Sequence, residues 1–554
     1  MHDRRVNSRT NPALVSRAAA ARLPRLALLA FCAAYVLPGL FGRDPWRGAD
    51  LSAFGRMLAM AEGRSSWLQP SWGAVAADGA VFPHWLGAAS IASSSGWLDP
   101  AFAARLPFAL LLVLTMVAVW YATFHLARTE AAQPIAFAFG GEAAPLDYAR
   151  AVADAALLAL IATLGLLQLG HETTPELAQL AAVAVFQWAM AAATHRQVGA
   201  LTGVLIALPV MAASGAPSMA VALGLSAMVL HASGTSIAKR PLLTALATAT
   251  LVAAVVAWAT HGWAWRIAPR IDVQQLARLG LWFLWPAWLL AGWTLWRWRS
   301  HLGQRHLSVP LVSLAVSLAA CVAMGGSDRA LLLGLPGVAV LAAFALPTLR
   351  RSASSAIDWF SVFFFSLCAL AIWVIYFAMH TGVPAKPAAN VARLAPGFEA
   401  RMSIVALGIA AVGTVAWIWL VRWRTRRHRE VIWKSLVLPA GGVALCWLLL
   451  MTLWLPLLDY ARSYRPLIDR INRAIPAGAC VAAPDASPSL LAALEFHARR
   501  RVDRSPSASS GSCPVLVLVR RGPQKPAAPA GWQELAVERR PTERNELTLV
   551  YTRR

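Results

Sequence analysis

The chain has 554 residues, 58% hydrophobic and only 14% charged, with a mean hydropathy of +0.55. Soluble domains carry about 25% charged residues, so an ordinary soluble enzyme is excluded. The formal net charge of +24 does not point to nucleic acid, because Arg clusters at the ends of apolar runs and in a polar tail, which is how membrane proteins set orientation.

Residues 1–24 are basic and lead into an apolar run at 25–42 with no small-residue cleavage site after it. The run reads as a retained first helix behind a cytoplasmic N-terminus. Twelve further runs of membrane-crossing length follow near 104–127, 151–170, 176–193, 197–213, 217–233, 241–259, 278–296, 307–324, 330–347, 358–379, 402–421 and 435–457. The fifth and sixth of the thirteen are spaced closely enough to form a re-entrant pair. With the N-terminus inside, the inner loops include "RWRSHLGQR" (297–305), "LRR" (349–351) and "RWRTRRHREVIWK" (422–434). The outer loops are longer and poorer in Lys and Arg, as the positive-inside rule expects. Thirteen crossings leave residues 459–554 outside.

Three outer segments are long enough for chemistry: 43–103, 260–277 and 380–401. In the first, Leu51, Phe54, Leu58 and Ala61 share a helical face that Arg56, Glu62 and Arg64 avoid. This predicts a helix lying in the interface plane. Trp67, Trp72, Trp85 and Trp97 suit an interfacial belt.

Beyond 459 the apolar runs shorten to "ACVAAP" (479–484), "CPVLVLVRR" (513–521) and "ELTLVYTRR" (546–554), with a helix over 487–500 and a Pro/Ala linker at 522–531. These predict a small α/β domain. Cys32, Cys321, Cys368 and Cys446 fall inside crossings and read as packing residues. Cys480 and Cys513 each open a strand in an oxidising compartment and are expected to form a disulfide. No Cys or His spacing suggests a metal site.

Two acidic stretches stand out. Asp50, in "GRDPWRGAD" (42–50), reads as a helix N-cap or as a general base at the membrane surface. "GHETTPELAQLA" (170–181) falls on the same outer side. Its Thr-Thr-Pro-Glu run is a good helix start, and Glu172 and Glu176 place further carboxylates beside Asp50.

The opening of the chain resembles a known family. "DPWRGAD" (44–50), "WLQPSWGAVAADGAVFPHWLGAAS" (67–90) and "FAARLPFALL" (102–111) are similar to the bacterial relatives of the protein O-mannosyltransferases, which include the lipid A aminoarabinose transferases. The resemblance covers about residues 25–235. It implies an all-α polytopic GT-C fold of about 13 transmembrane helices with a small periplasmic α/β domain at 459–554. It implies a polyprenyl-phosphate-linked sugar as donor and no required cofactor. Asp50 matches the first acid of the family pair, and Leu51 stands where the second, Glu, is expected. Phe82-Pro83-His84-Trp85 matches a segment where many members have Lys-Pro-Pro, with His84 as stand-in. Glu176 or Glu172 matches the acid of the second outer loop.

In such a transfer the carboxylate takes the acceptor proton and cations stabilise the leaving phosphate. The outer-face candidates are Arg47, Arg56, His84, Arg105, His261, Arg266, Arg270, Lys386 and Arg393, each of which also reads as an interfacial anchor. "HGWAWRIAPR" (261–270) is the strongest group of these. The expectation is an inverting glycosyltransferase of the bacterial inner membrane, monomeric, contacting membrane lipids, with the acceptor unnamed. The competing readings are a transporter or flippase of lipid-linked sugars, and a non-catalytic relative.

Overall fold

Ala- and Leu-rich runs with few interior charges fold into helices that make up most of the chain. The computed structural model describes residues 11–70, 79–94, 96–232, 240–263, 267–426, 431–505, 513–522, 528–543 and 545–553. After α1 (Arg25–Val36), the first outer segment forms α2 (Ala49–Ala61) and α3 (Val81–Ser93). Helix α4 (Pro100–Ala127) is capped by Asp99, whose carboxylate accepts from the N–H groups of Ala101 and Phe102. Helices α5 (Pro145–Ala162) and α6 (Leu164–Leu169) are separated at Thr163, and α7 (Pro175–Ala192) starts on the predicted proline. Then come α8 (Gln197–Ala213), α9 (Pro217–Ala232) and α10 (Arg240–Ala259).

Helices α11 (Val273–Arg278) and α12 (Ala287–Arg297) are the arms of a unit bent by 92°. The chain continues through α13 (Arg305–Ala323), α14 (Asp328–Leu332), α15 (Leu335–Ala345), α16 (Arg351–Thr381), α17 (Ala385–Leu394) and α18 (Ile404–Arg426). Helices α19 (Lys434–Leu450) and α20 (Leu455–Arg462) are bent by 71°.

Each predicted crossing falls on helix. Among the described residues, five helices, α4, α10, α13, α16 and α18, are each long and apolar enough to cross a membrane, and counting each bent pair as one span gives up to seven. The other predicted crossings fall on shorter apolar helices such as α1, α8 and α9, or on α5 and α7, which are buried along almost their whole length at the centre of the bundle. Close packing there uses small residues. A Cβ added at Gly337 of α15 would lie 2.5 Å from the Pro310 carbonyl oxygen of α13.

Loops predicted to share a side meet. At one end Ala80 bridges to Ser214, Gly79 abuts Gly262, and the Tyr460 hydroxyl donates to the Pro396 carbonyl at 2.6 Å. At the other end Ser16 bridges to Glu142, the Asn11 amide donates to the carbonyls of Ala131 and Gln133, and Arg305 donates to the Met190 carbonyl.

The tail forms α21 (Arg465–Ala474), α22 (Pro488–Phe496) and a five-stranded sheet of β1 (Val481–Ala482), β2 (Val502–Asp503), β3 (Val515–Arg521), β4 (Trp532–Glu538) and β5 (Glu546–Arg553). The strand order is β2-β1-β3-β5-β4; β1 is parallel to β2 and β3, and β5 is antiparallel to β3 and β4. The sequence patterns identify β1, β3 and β5 but miss β2, which is two residues long, and β4, an edge strand whose residues are mostly exposed. A disulfide joins Cys480 to Cys513, with Cα atoms 5.2 Å apart.

The tail also changes the environment of α2. That helix was expected to rest one apolar face in the interface. It is instead buried on several sides, at Leu51, Phe54, Met57, Leu58 and Met60, because α22 packs over it and Phe496 meets the Phe54 ring edge-on at 4.8 Å. Periodicity within 49–61 could not register an apolar partner more than 400 residues away. Trp67, Trp85 and Trp97 are exposed, and Trp72 lies outside the described residues.

Candidate active site

The Pro-Trp-Arg-Gly run ends in a backbone turn, and α2 starts at Ala49 with Gly48 as its N-cap at φ 91°, a conformation that favours glycine. Asp50 therefore sits inside the first turn and is not the cap its sequence context suggests. Its side chain points into the protein and is 2% exposed. One carboxylate oxygen accepts the Trp46 N–H at 3.0 Å and Arg43 Nη2 at 3.2 Å. The other accepts the Thr173 N–H at 2.8 Å and the Thr173 hydroxyl at 2.7 Å. Four donors fill the lone-pair directions of the carboxylate. Burial pushes the Asp50 carboxyl up, but Arg43, Thr173 and Arg105 outweigh it and hold the group below the usual carboxylate range.

Arg43 also donates to the His171 carbonyl at 2.8 Å, which ties the first outer segment to the 168–176 turn. Arg105, from the outer part of α4, donates to the carbonyls of Leu40 and Arg43. The Trp46 ring is held between Arg43 and Arg462, whose guanidinium carbons lie 4.7 and 4.8 Å from its centroid. Its Nε1–H donates to Asp459 at 2.8 Å. Arg462 donates on to Gln168 at 2.7 Å, and Gln168 to Glu172 at 2.8 Å. Arg329 then binds Glu172 at 2.9 Å and Glu176 at 3.0 Å. Burial and the neighbouring Asp50 charge raise the Glu172 carboxyl, and Arg329 opposes them.

A cavity of about 190 Å³ adjoins this network. Its walls include Ser52 and Arg56 of α2, Glu176 and Gln179 of α7, Ser214 and Pro488. A small void of about 20 Å³ lies between the end of α1, α4 and the 170–171 turn, with Leu40, Phe108, Leu112 and Arg105 in its wall.

Of the residues singled out from sequence, Asp50, Glu172, Glu176 and Arg105 come together, and Arg56 joins them through the cavity. Arg47 lies at the rim, half-exposed, and pairs with Glu543 at 3.4 Å. His84 is buried in α3, not displayed to a ligand. His261 and Arg270 are exposed and make no hydrogen bond or ion pair to the cluster, while Arg266 lies outside the described residues. Lys386 and Arg393 are exposed on α17. Leu51 is fully buried in the core. Sequence reasoning missed Arg43, Trp46, Thr173, Gln168, Arg329, Asp459 and Arg462. The first two stand within the quoted "GRDPWRGAD", but nothing local marks them as partners of Asp50.

No family profile and no curated protein sequence matches the chain. Solved structures do. The crystal structure of ArnT from Cupriavidus metallidurans bound to undecaprenyl phosphate aligns with a TM-score of 0.63 over 95% of this chain and 97% of that one, at 13% identity. Its apo form aligns at 0.62 and 12% identity with the same coverage. The chain has the ArnT-like GT-C fold. In this fold the helical bundle presents the Asp50 cluster at one end, and the strand-bearing tail closes over it.

Proposed function

We propose that the chain is an inner-membrane glycosyltransferase. It takes a sugar from a polyprenyl-phosphate carrier and passes it, with inversion, to a hydroxyl or amine of an acceptor at the periplasmic face. The reading is supported above all by the end-to-end match to ArnT, a protein crystallised with undecaprenyl phosphate. Residues 1–24 are cytoplasmic in this reading, 25–458 form the membrane domain and 459–554 a periplasmic domain.

The acceptor atom bonds to the anomeric carbon as the bond from that carbon to the phosphate oxygen breaks. The polyprenyl phosphate leaves with the electron pair and gains one negative charge, and the acceptor proton passes to a carboxylate. Arg56, in the wall of the 190 Å³ cavity, is the cation suited to that phosphate, whereas Arg105 is buried with its N–H groups on the Leu40 and Arg43 carbonyls. Glu176 lines the cavity and is the carboxylate best placed to take the proton. Asp50 was expected as the base from sequence; with all four acceptor directions filled, it is better suited to hold Arg43 and the Thr173 turn in place.

Leu51, buried where the family carries an acid, favours a second reading, a relative that has lost transfer. Mass spectrometry of envelope glycolipids and glycoproteins, with and without the gene, separates the two. Loss of one defined sugar on deletion supports transfer. An unchanged glycan profile together with retained binding of undecaprenyl phosphate supports the second reading.

A further inference from the structure

We infer that Arg329 is a positioning residue of this site, a single guanidinium that fixes the cavity carboxylate Glu176 against Glu172, the carboxylate next to Asp50. Its part in turnover rests on the glycosyltransferase reading; its hold on Glu172 does not.

Arg329 stands in the first turn of α14, after Gly325-Gly326-Ser327. Both glycines have positive φ, 70° and 98°. A Cβ at Gly325 would lie 2.7 Å from Ala268, and one at Gly326 would lie 2.9 Å from Gln275. The turn is thus seated on the 268–275 segment with no room for side chains. The Ser327 hydroxyl accepts the Ala330 N–H and starts the helix. From this seat the two arms of Arg329 diverge. Nη2 binds Glu172 at 2.9 Å, and Nη1 binds Glu176 at 3.0 Å and the Thr174 hydroxyl at 3.3 Å. One planar fork thereby spans the start of α7, a task that a point-charge ammonium performs less well.

The electrostatics call for such a cation. Glu172 faces Asp50 from α2, Arg329 from α14 and Arg462 from α20, with the Gln168 amide on its own side. Without Arg329, two buried acids and Glu176 crowd one turn, and Glu172 becomes easier to protonate.

The sign of the pH effect follows. The folded Glu172 carboxyl is raised, so above its unfolded value the folded state binds more protons and stability falls as pH rises toward the folded value. Removing Arg329 extends that fall to higher pH. The test is thermal unfolding against pH for the full chain in nanodiscs, as wild type, R329Q, R329K, E172Q and R329Q/E172Q. The R329Q curve should fall at higher pH than wild type, R329K between the two, and the shift should shrink markedly in R329Q/E172Q against E172Q, leaving the part that Glu176 carries. Superimposable R329Q and wild-type curves, or a shift that E172Q leaves undiminished, overturn the inference. Should R329Q fail to fold, the R329K curve decides by the same criterion.

A second arm reads the sugar lost on gene deletion. Cells carrying R329Q should make about 10²-fold less, the scale of a misplaced reacting group, with partial recovery in R329K. Wild-type product levels in R329Q overturn the role in turnover. If wild type makes no such product while the pH curves move as expected, the glycosyltransferase reading fails and the hold of Arg329 on Glu172 stands.

Discussion

Asp50 shows how far a residue can depart from the role its neighbours in sequence imply. Its carboxylate is the negative charge shared by buried Arg43 and Arg105. Asp50→Asn removes that charge and turns an amide N–H₂ toward a group that can only donate in either orientation, the Thr173 N–H on one side or Arg43 and the Trp46 N–H on the other. Leaving a buried cation unpaired costs about 3–5 kcal/mol. We expect Asp50→Asn to unfold at a clearly lower temperature in detergent, and Asp50→Glu to be destabilised because the longer side chain has no space at Thr173. An Asp50→Asn protein with wild-type stability but abolished transfer would restore the general-base assignment. Asp50, Glu172 and Glu176 were legible because each sits beside a predicted helix end on the predicted outer side. Their partners were not. Trp46 and Asp459 lie 413 positions apart, and no period or motif within a window links them.

Among the elements, helices with long uninterrupted apolar runs were legible from length alone, and the breaks were not. The bends of 92° and 71° fall where a proline stands at the start of the second arm, Pro286 before α12 and Pro456 in the first turn of α20, a local feature that hydropathy averages away. Where helices touch, small residues set the distance. Gly337→Ala should push α15 off the α13 backbone at Pro310 and cost about 1–3 kcal/mol, read as a lower unfolding temperature. In the tail, the disulfide closes a loop between positions separated by 33 residues. In the chain-entropy model that closure is worth roughly 3–4 kcal/mol. Cys480→Ser/Cys513→Ser, or added reductant, should make the tail sensitive to limited proteolysis while the helical bundle stays resistant. Equal protease sensitivity with and without reductant would argue that the bridge carries no stability.

For the whole molecule, the side assigned to each loop from Lys and Arg agrees with which loops touch. Segments 79–80, 214, 262, 325–329 and 396 gather at one end, and 11–16, 131–142 and 190 with 305 at the other. Contacts establish which loops share an end; the charge rule gives that end its compartment. Reporter fusions at residue 300 should therefore read cytoplasm, and fusions at 390 and 540 periplasm. A periplasmic reading at 300 would invert the map. The overall architecture was legible because a membrane forces each crossing to announce itself, whereas the closure of the tail over α2 depends on surface complementarity between the two ends of the chain.

That closure bears on when the protein can act. The indole of Trp46 is clasped between Arg43, just ahead of it in the chain, and Arg462, several hundred residues later, and the Arg47 N–H is tied to the Arg462 carbonyl. The helices through α20 must be made before the parts of the site can meet. A nascent chain stalled after α18 would carry Asp50 and Glu172 but lack the Arg462 side of the clasp. Co-expression of two halves split between α18 and α19 should rebuild the clasp only when both are present, so the site is complete only once α20 has been made and docked.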